Sequence, residues 1–103
     1  MDLSITTVPA VEKYLIVVAG EVDISNADML RSAIDLALEQ PCESICLDFS
    51  DVAYIDSTGI GVLVGAAHAA ADRDRAWSIV GVQPQVLRIV QMLGVDGEIN
   101  AIA

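Results

Sequence analysis

The first part of the chain alternates between apolar and polar residues and then becomes continuously apolar. Alternation over Leu3 to Val8, with Pro9 directly after it, predicts a short strand at the edge of a sheet. The uninterrupted apolar run from Tyr14 to Ala19 is rich in Val and Ile, which favours a buried strand over a helix. We expect Gly20 to end this second strand.

The next segment has the spacing of a helix. Ser25, with Asp28 three residues later, is typical of a helix cap followed by an acidic first turn. Apolar residues then recur at helical spacing and predict one buried face, made of Ala27, Leu30, Ile34, Ala37 and Leu38. Pro41 ends this pattern, so the first helix is expected to stop just before it.

The middle of the chain predicts another strand and another helix. Ser44 to Phe49 is expected to form a buried strand, and Asp51 to Asp56 a loop. From Ser57 onwards the spacing becomes helical until the charged segment 72–75. The apolar face of this second helix is predicted to contain Ile60, Leu63, Val64 and Ala67.

The last third of the chain repeats the unit of a strand followed by a helix. Ala76 to Val80 predicts a strand, Gly81 a break, and Pro84 the first turn of a third helix. Gly94 is placed just past the end of that helix, and Ile99 to Ile102 would add a last short strand. The buried face of the third helix is expected to contain Val86, Leu87, Val90 and Leu93.

The order of these elements predicts the fold class. Strand-helix-strand units produce parallel pairing with right-handed crossovers. We therefore expect an α/β fold in a single domain over residues 1–103. Its mixed, mostly parallel sheet of four to five strands would carry about three helices packed on it.

The charge and the apolar segments of the chain argue against two classes of function, nucleic-acid binding and membrane insertion. Five Lys and Arg against fifteen Asp and Glu give a net charge of −10, which would repel a nucleic-acid backbone. We expect no nucleic-acid partner. The N-terminus lacks the pattern of a signal peptide, and the longest uncharged run is too short and too polar to span a bilayer. A cytoplasmic protein without membrane insertion is the expectation.

The segment from Val52 to Leu63 is the strongest candidate for function. Its hydroxyls at a helix start are also what simple helix capping would require. Gly59, Gly61 and Gly65 resemble a dinucleotide fingerprint, but the third glycine is one position late.

Catalytic and metal chemistry find little support in the sequence. The Asp56 to Gly59 segment has one residue too many for an aspartic-protease signature. His68 lies eleven residues after Ser57, too far along one helix to act as its base. Cys42 and Cys46 have no further cysteine that would complete a zinc site, and we expect them to be structural. We predict no catalytic residue, no metal and no cofactor.

Recognition by a protein partner is the remaining interpretation, and here the chain resembles a known family. Asp56-Ser57-Thr58-Gly59-Ile60-Gly61-Val62-Leu63, about 35 residues after Gly20-Glu21-Val22-Asp23, closely resembles the STAS domain family, and specifically the bacterial anti-sigma factor antagonists. The similarity extends through 81–86 and 92–95. Members of the family often carry a longer C-terminal helix, and here that helix is expected to be absent or shortened.

The resemblance implies a regulator without enzymatic activity. In this family the first serine after the aspartate of the motif is phosphorylated, and the resemblance places that role on Ser57, which follows Asp56. The kinase would be an anti-sigma factor with a GHKL-type kinase fold, and a serine phosphatase would reverse this step. The unphosphorylated form would bind the anti-sigma factor and release a sigma factor for transcription. The resemblance places the partner surface on Asp23, Asp56, Ser57, Thr58, Gly59, Ile60 and Gly61.

Several alternatives stay open. The chain could instead be a STAS subunit of a larger assembly, such as a stressosome or a lipid-transport complex, or a small nucleotide-binding protein. Asp23 has a second interpretation as a simple turn residue. Gly61 is expected inside the second helix, where it would permit close backbone contact with the sheet or a partner.

Overall fold

The residues predicted to be strands build one mixed sheet. The computed structural model describes residues 2–103. Its elements are, in chain order, β1 (Leu3–Val8), β2 (Tyr14–Val22), α1 (Ala27–Glu39), β3 (Ser44–Ile55), α2 (Ser57–Asp72), β4 (Ala76–Val80) and α3 (Pro84–Met92). The sheet order is β1-β2-β3-β4, with β1 antiparallel to β2 and the other pairs parallel. This confirms the predicted α/β fold with three helices and four strands.

The core lies between the central strands and the helices. Along β2, Tyr14, Ile16 and Val18 are buried while the residues between them are only partly buried, as expected for side chains that alternate between two faces. The buried residues of α1 are those that the helical spacing predicted: Ala27, Leu30, Ile34, Ala37 and Leu38. Within residues 2–103, no helix combines the length and apolar character that crossing a bilayer requires.

Gly20 does not end β2, which continues to Val22. The residue has a φ of +111°, and a Cβ at this position would lie 2.1 Å from the carbonyl oxygen of Asp2. The parallel pairing of β2 with β3 shifts register between Gly20 and Glu21. Glycine therefore permits an irregularity inside the strand rather than marking its end.

The segment predicted as a loop, Asp51 to Asp56, is strand through Ile55, and that prediction is wrong. Val52 and Ile55 of this segment are buried, and Gly20 and Val22 of β2 pair with them in parallel register. The register shifts disturb the alternation of side chains, so the sequence pattern looks like a loop although the backbone pairing continues.

The segment after α3 lies along the free edge of β4. Ala101 forms an isolated parallel bridge with Ile79, whose N–H donates to the carbonyl of Asn100 over 3.1 Å. The indole N–H of Trp77 donates to the carbonyl of Ile99 over 3.0 Å. The predicted strand at 99–102 is thus a single bridge, yet it pairs with an edge that would otherwise be open.

Candidate functional site

The carboxyl ends of β2 and β3 meet at one edge of the sheet. Asp23 follows β2 directly, and Asp56 follows β3 directly. The backbone N–H of Asp56 donates to the carbonyl of Val22 over 3.0 Å, which holds the two strand ends together. The structure therefore brings Asp23, Asp56 and Ser57 to the same end of the sheet, where open α/β domains place their sites.

Asp56 is the N-cap of α2. Its Oδ1 accepts a hydrogen bond from the N–H of Gly59 over 3.0 Å. Its Oδ2 accepts from the N–H of Ile24, which lies in the connection between β2 and α1, also over 3.0 Å. One carboxylate thus caps a helix and joins it to a neighbouring loop.

Ser57 is therefore free of the capping role that simple helix chemistry would have given it. It is the first residue of α2 and is exposed. Within the described part of the chain its hydroxyl has no hydrogen-bond partner, and Thr58 beside it is half-buried. A hydroxyl in this position is accessible to another protein, next to the positive end of the helix dipole.

Asp23 organises the turn before α1. Its Oδ1 accepts hydrogen bonds from both the N–H and the hydroxyl of Ser25, the former over 2.8 Å. The hydroxyl of Ser25 is the main cause that lowers the pKa of the Asp23 carboxyl below 3.8, although partial burial opposes the shift. These contacts give Asp23 a turn role in addition to its place at the site.

The predicted cap of α1, Ser25, is wrong by one residue, because the N-cap is Asn26. The Asn26 side chain makes no cap bond. Instead its Oδ1 accepts from the N–H of Asp23 over 2.9 Å, and its Nδ2 donates to the carbonyl of Glu21 over 2.8 Å. Asn26 is buried, so its amide groups are satisfied by the turn that it stabilises.

The glycines of α2 have different surroundings. Gly59 is buried, and a Cβ there would lie 2.7 Å from side-chain carbons of both Val22 and Ile55. Gly61 and Gly65 are exposed, and a Cβ at either position meets no atom within 4 Å. Gly61 lies inside the helix, as predicted, but it does not approach the sheet, so that part of the expectation is wrong.

The nucleotide interpretation loses its structural basis. A dinucleotide fingerprint needs its glycines in a turn that opens a helix. Here Gly59, Gly61 and Gly65 all lie within α2, which begins at Ser57. Among residues 2–103, no cluster of three or more His, Cys, Asp or Glu side chains is arranged to hold a metal ion.

The remaining candidates lie away from the site. His68 is exposed on α2, where its Nε2 contacts the carboxylate of Glu98. Cys42 and Cys46 are both free and buried. Cys42 accepts a hydrogen bond from the guanidinium of Arg75 over 3.0 Å.

Sequence reasoning did not single out Ile24. This side chain is 78% exposed, although its backbone N–H is held by Asp56. An apolar residue between two turn-forming residues, Asp23 and Ser25, is the signal that would have drawn attention to it. Its position places an apolar group within the surface around Ser57.

Comparisons with known proteins identify the family of this chain. A family model described as "Mlab, STAS domain" matches residues 6–102. The anti-sigma F factor antagonist of Paenibacillus polymyxa is 30% identical over 92 residues, which cover 82% of this chain and 79% of the relative.

Solved structures share the fold. An anti-sigma factor antagonist from Mycobacterium paratuberculosis gives a TM-score of 0.86 at 19% identity, covering 98% of this chain and 86% of that one. Unphosphorylated SpoIIAA, an anti-sigma factor antagonist, gives 0.81 at 20% identity, covering 97% and 88%. The phosphorylated form of the Bacillus protein gives 0.74 at 19% identity, covering 97% and 91%.

The α/β fold of this chain is thus shared with solved structures of anti-sigma factor antagonists. The match over residues 6–102 is the decisive finding. This chain belongs to the STAS domain family.

Proposed function

We propose that this protein is an anti-sigma factor antagonist that is switched by phosphorylation of Ser57. In its unphosphorylated form it binds an anti-sigma factor with a GHKL-type kinase fold, and a sigma factor is released for transcription. The observation that carries the proposal is the exposed, unbonded hydroxyl of Ser57 at the start of a helix that Asp56 already caps. The name of the Paenibacillus relative supports the choice of partner.

The proposal assigns the chemistry to the partner. The anti-sigma factor binds ATP and supplies the catalysis. Its kinase site transfers the γ-phosphoryl group of ATP to the Ser57 oxygen, so the bond between the β- and γ-phosphates breaks, ADP leaves and the hydroxyl proton is released. A serine phosphatase in the same cytoplasm hydrolyses the phosphoserine and restores binding. The partner surface comprises Asp23, Asp56, Ser57, Thr58, Gly59, Ile60 and Gly61.

The physical basis of the switch is charge. A phosphate adds about −1.5 to −2 charges at neutral pH. It would stand beside Asp56 and Asp23 on a chain whose net charge is already −10. The start of α2 can hold the phosphate without unfolding, because helix N-termini favour anions. When the partner covers this surface, the phosphate must lose its water, and its bulk keeps the apolar groups of the two proteins apart, so the complex weakens while the fold persists.

The test uses the purified anti-sigma factor from the same organism, ATP, and matched serine and threonine variants. Wild type and Thr58→Ala are expected to be labelled, whereas Ser57→Ala is not labelled and still binds. Ser57→Asp is expected to bind about 5- to 150-fold more weakly than wild type, as a coupling of roughly 1 to 3 kcal/mol implies. Equal labelling of Ser57→Ala and wild type would show that Ser57 is not the phosphorylated residue, and Thr58 would become the candidate acceptor.

A second candidate is a STAS subunit of a larger assembly, such as a stressosome or a lipid-transport complex. The matching family model bears the designation Mlab, so the family is wider than the proteins named as antagonists. In such an assembly the surface around Ser57 would dock a scaffold, and no kinase would be needed. Purification of the native complex, followed by mass spectrometry of its subunits and of Ser57, separates the two candidates.

A further inference from the structure

An apolar groove lies beside Ser57, where the end of β3, the first turn of α2 and the end of α3 come together. Its lining residues, which define the docking groove, are Tyr54, Ile55, Asp56, Ser57, Ile89, Met92 and Leu93. The serine of the proposed switch is therefore part of the wall of this groove. Any group that occupies the groove lies next to the Ser57 hydroxyl.

The docking groove contains exposed apolar side chains from two elements and from the residue that follows α3. Three of its side chains remain open to solvent, with exposed fractions of 40% for Tyr54, 79% for Met92 and 54% for Leu93. The helical spacing predicted Leu93 to be buried, and the structure contradicts this because α3 ends at Met92, one residue earlier. Exposed apolar groups gathered at one concave site indicate an interaction surface.

We propose that the docking groove binds an apolar side chain of the anti-sigma factor that is flanked by basic residues. This inference rests on the proposed function and adds the contact that gives the partner its affinity. The apolar part follows from Tyr54, Met92 and Leu93, which lose contact with water when the groove is filled. The basic part follows from Asp56 in the lining and from the net charge of −10.

Charge also argues against a second copy of this chain as the occupant. Two copies would bring net charges of −10 together, and a symmetric contact would place Asp56 of one copy near the same groove of the other. Like charges at an interface disfavour association. A basic partner surface would instead be attracted to the groove by the negative charge of this chain.

The test compares two double variants that make the same chemical change at different places. Met92→Gln with Leu93→Gln removes apolar groups from the docking groove. Met29→Gln with Leu36→Gln is the matched control on α1, where both side chains are also exposed, at 51% and 59%. Binding to the purified anti-sigma factor and the kinetics of Ser57 phosphorylation are measured for both.

The groove variant is expected to raise the Kd at least tenfold, because a few buried apolar anchors carry most of the energy of an interface. The KM for phosphorylation should rise in parallel while kcat stays unchanged, because the Ser57 hydroxyl itself is intact. The α1 control should remain within twofold of wild type in both measurements. Tyr54→Gln, on a different element, should reproduce the loss and guards against a local effect at the end of α3.

The outcomes distinguish this inference from the proposed function. If wild type neither binds the anti-sigma factor nor is phosphorylated, the proposed function is overturned and the groove proposal with it. If wild type binds and the groove variants bind equally well, only the groove proposal is overturned. Self-association of wild type that the groove variant abolishes, measured by analytical ultracentrifugation, would assign the groove to a second copy and also overturn it.

Discussion

At the scale of single residues, Asp56 is the group that connects the parts of the site. Its two carboxylate oxygens accept from Gly59 at the start of α2 and from Ile24 in the loop after β2. Ile24 and Asp56 are 32 residues apart, so no local sequence pattern predicts their contact. The position of Ser57 therefore depends on a contact between two loops as well as on the helix that contains it.

Replacing Asp56 by Asn should remove one of these two hydrogen bonds. An amide has one oxygen that accepts, while its NH₂ group can only donate and would face a backbone N–H. We expect the free energy of unfolding to fall by about 1 to 2 kcal/mol, as for the loss of a helix cap. Urea unfolding measures this, with Asp51→Asn as the control that removes the same charge at an exposed strand position. Equal losses in both variants would contradict the bridging role.

Asp23 is predicted to contribute both to its turn and to the partner surface. Asp23→Ala should lower the Tm, because the N–H and hydroxyl of Ser25 lose their acceptor. It should also weaken binding to the anti-sigma factor. Ser25→Ala is the matched variant, since it removes the hydroxyl donor and keeps the carboxylate. If Ser25→Ala weakens binding as much as Asp23→Ala does, Asp23 acts through the turn alone and does not belong to the partner surface.

At the scale of elements, α2 has one closely packed glycine and two open ones. Gly59 faces the ends of β2 and β3, where Val22 and Ile55 are almost completely buried. Gly61 and Gly65 lie on the exposed side of the same helix. Helical periodicity places all three within one element, but only packing shows which of them lacks room for a side chain.

Alanine substitutions should separate these glycines. Gly59→Ala is expected to destabilise the fold by about 1 to 3 kcal/mol, because its Cβ would overlap the packed side chains of Val22 and Ile55. Gly61→Ala is expected to stabilise it by up to about 1 kcal/mol, the usual gain from replacing glycine in an exposed helix. Thermal and urea unfolding measure both. A destabilised Gly61→Ala with normal Gly59→Ala would contradict the assigned packing.

Partner binding gives Gly61 a second measurement. The sequence interpretation expected Gly61 to permit close contact with the sheet or a partner, and only the partner contact stays a prediction. Gly61→Val should therefore keep the fold and weaken binding to the anti-sigma factor. Gly65→Val, one turn further along the exposed side, is the control.

At the scale of the whole molecule, acid should weaken the fold through hydrogen-bonded carboxylates. The hydroxyl and N–H of Ser50 lower the pKa of Asp48 below 3.8, and Ser25 lowers that of Asp23. A lowered folded-state pKa means that the unfolded chain binds more protons in this range. The stabilisation is complete well above pH 3.8 and is lost as the pH falls through the folded-state values.

This predicts a measurable difference for Asp48→Asn. The variant should be less stable than wild type at neutral pH. The difference should shrink as the pH falls below 3.8, because the unfolded wild-type chain then gains a proton that the folded carboxylate still resists. Urea unfolding at a series of pH values measures the two curves. Asp51→Asn is the control, and curves that stay parallel for Asp48→Asn would contradict the proposed link.

The class of fold and the positions of most helices and strands can be read from the sequence alone. Periodicity at 3.6 and at 2 residues reports which side chains share a face. The buried face of α1 agrees with the structure, and so do the bounds of β1, although no residue of β1 is buried. The Asp56 to Leu63 segment pointed to the family that the comparisons show. These features are local in sequence and therefore readable from it.

How β2 and β3 end, how Asp56 is held and where the docking groove lies depend on contacts between residues that are far apart in the chain. Backbone pairing continued both strands through irregular register, which side-chain alternation does not record. Asp56 caps α2 through a local bond to Gly59, but its second bond, from Ile24, is possible only because parallel strands end at one edge of the sheet. The docking groove joins Tyr54 and Ser57 to Met92 of α3, and only long-range packing brings α3 to this position.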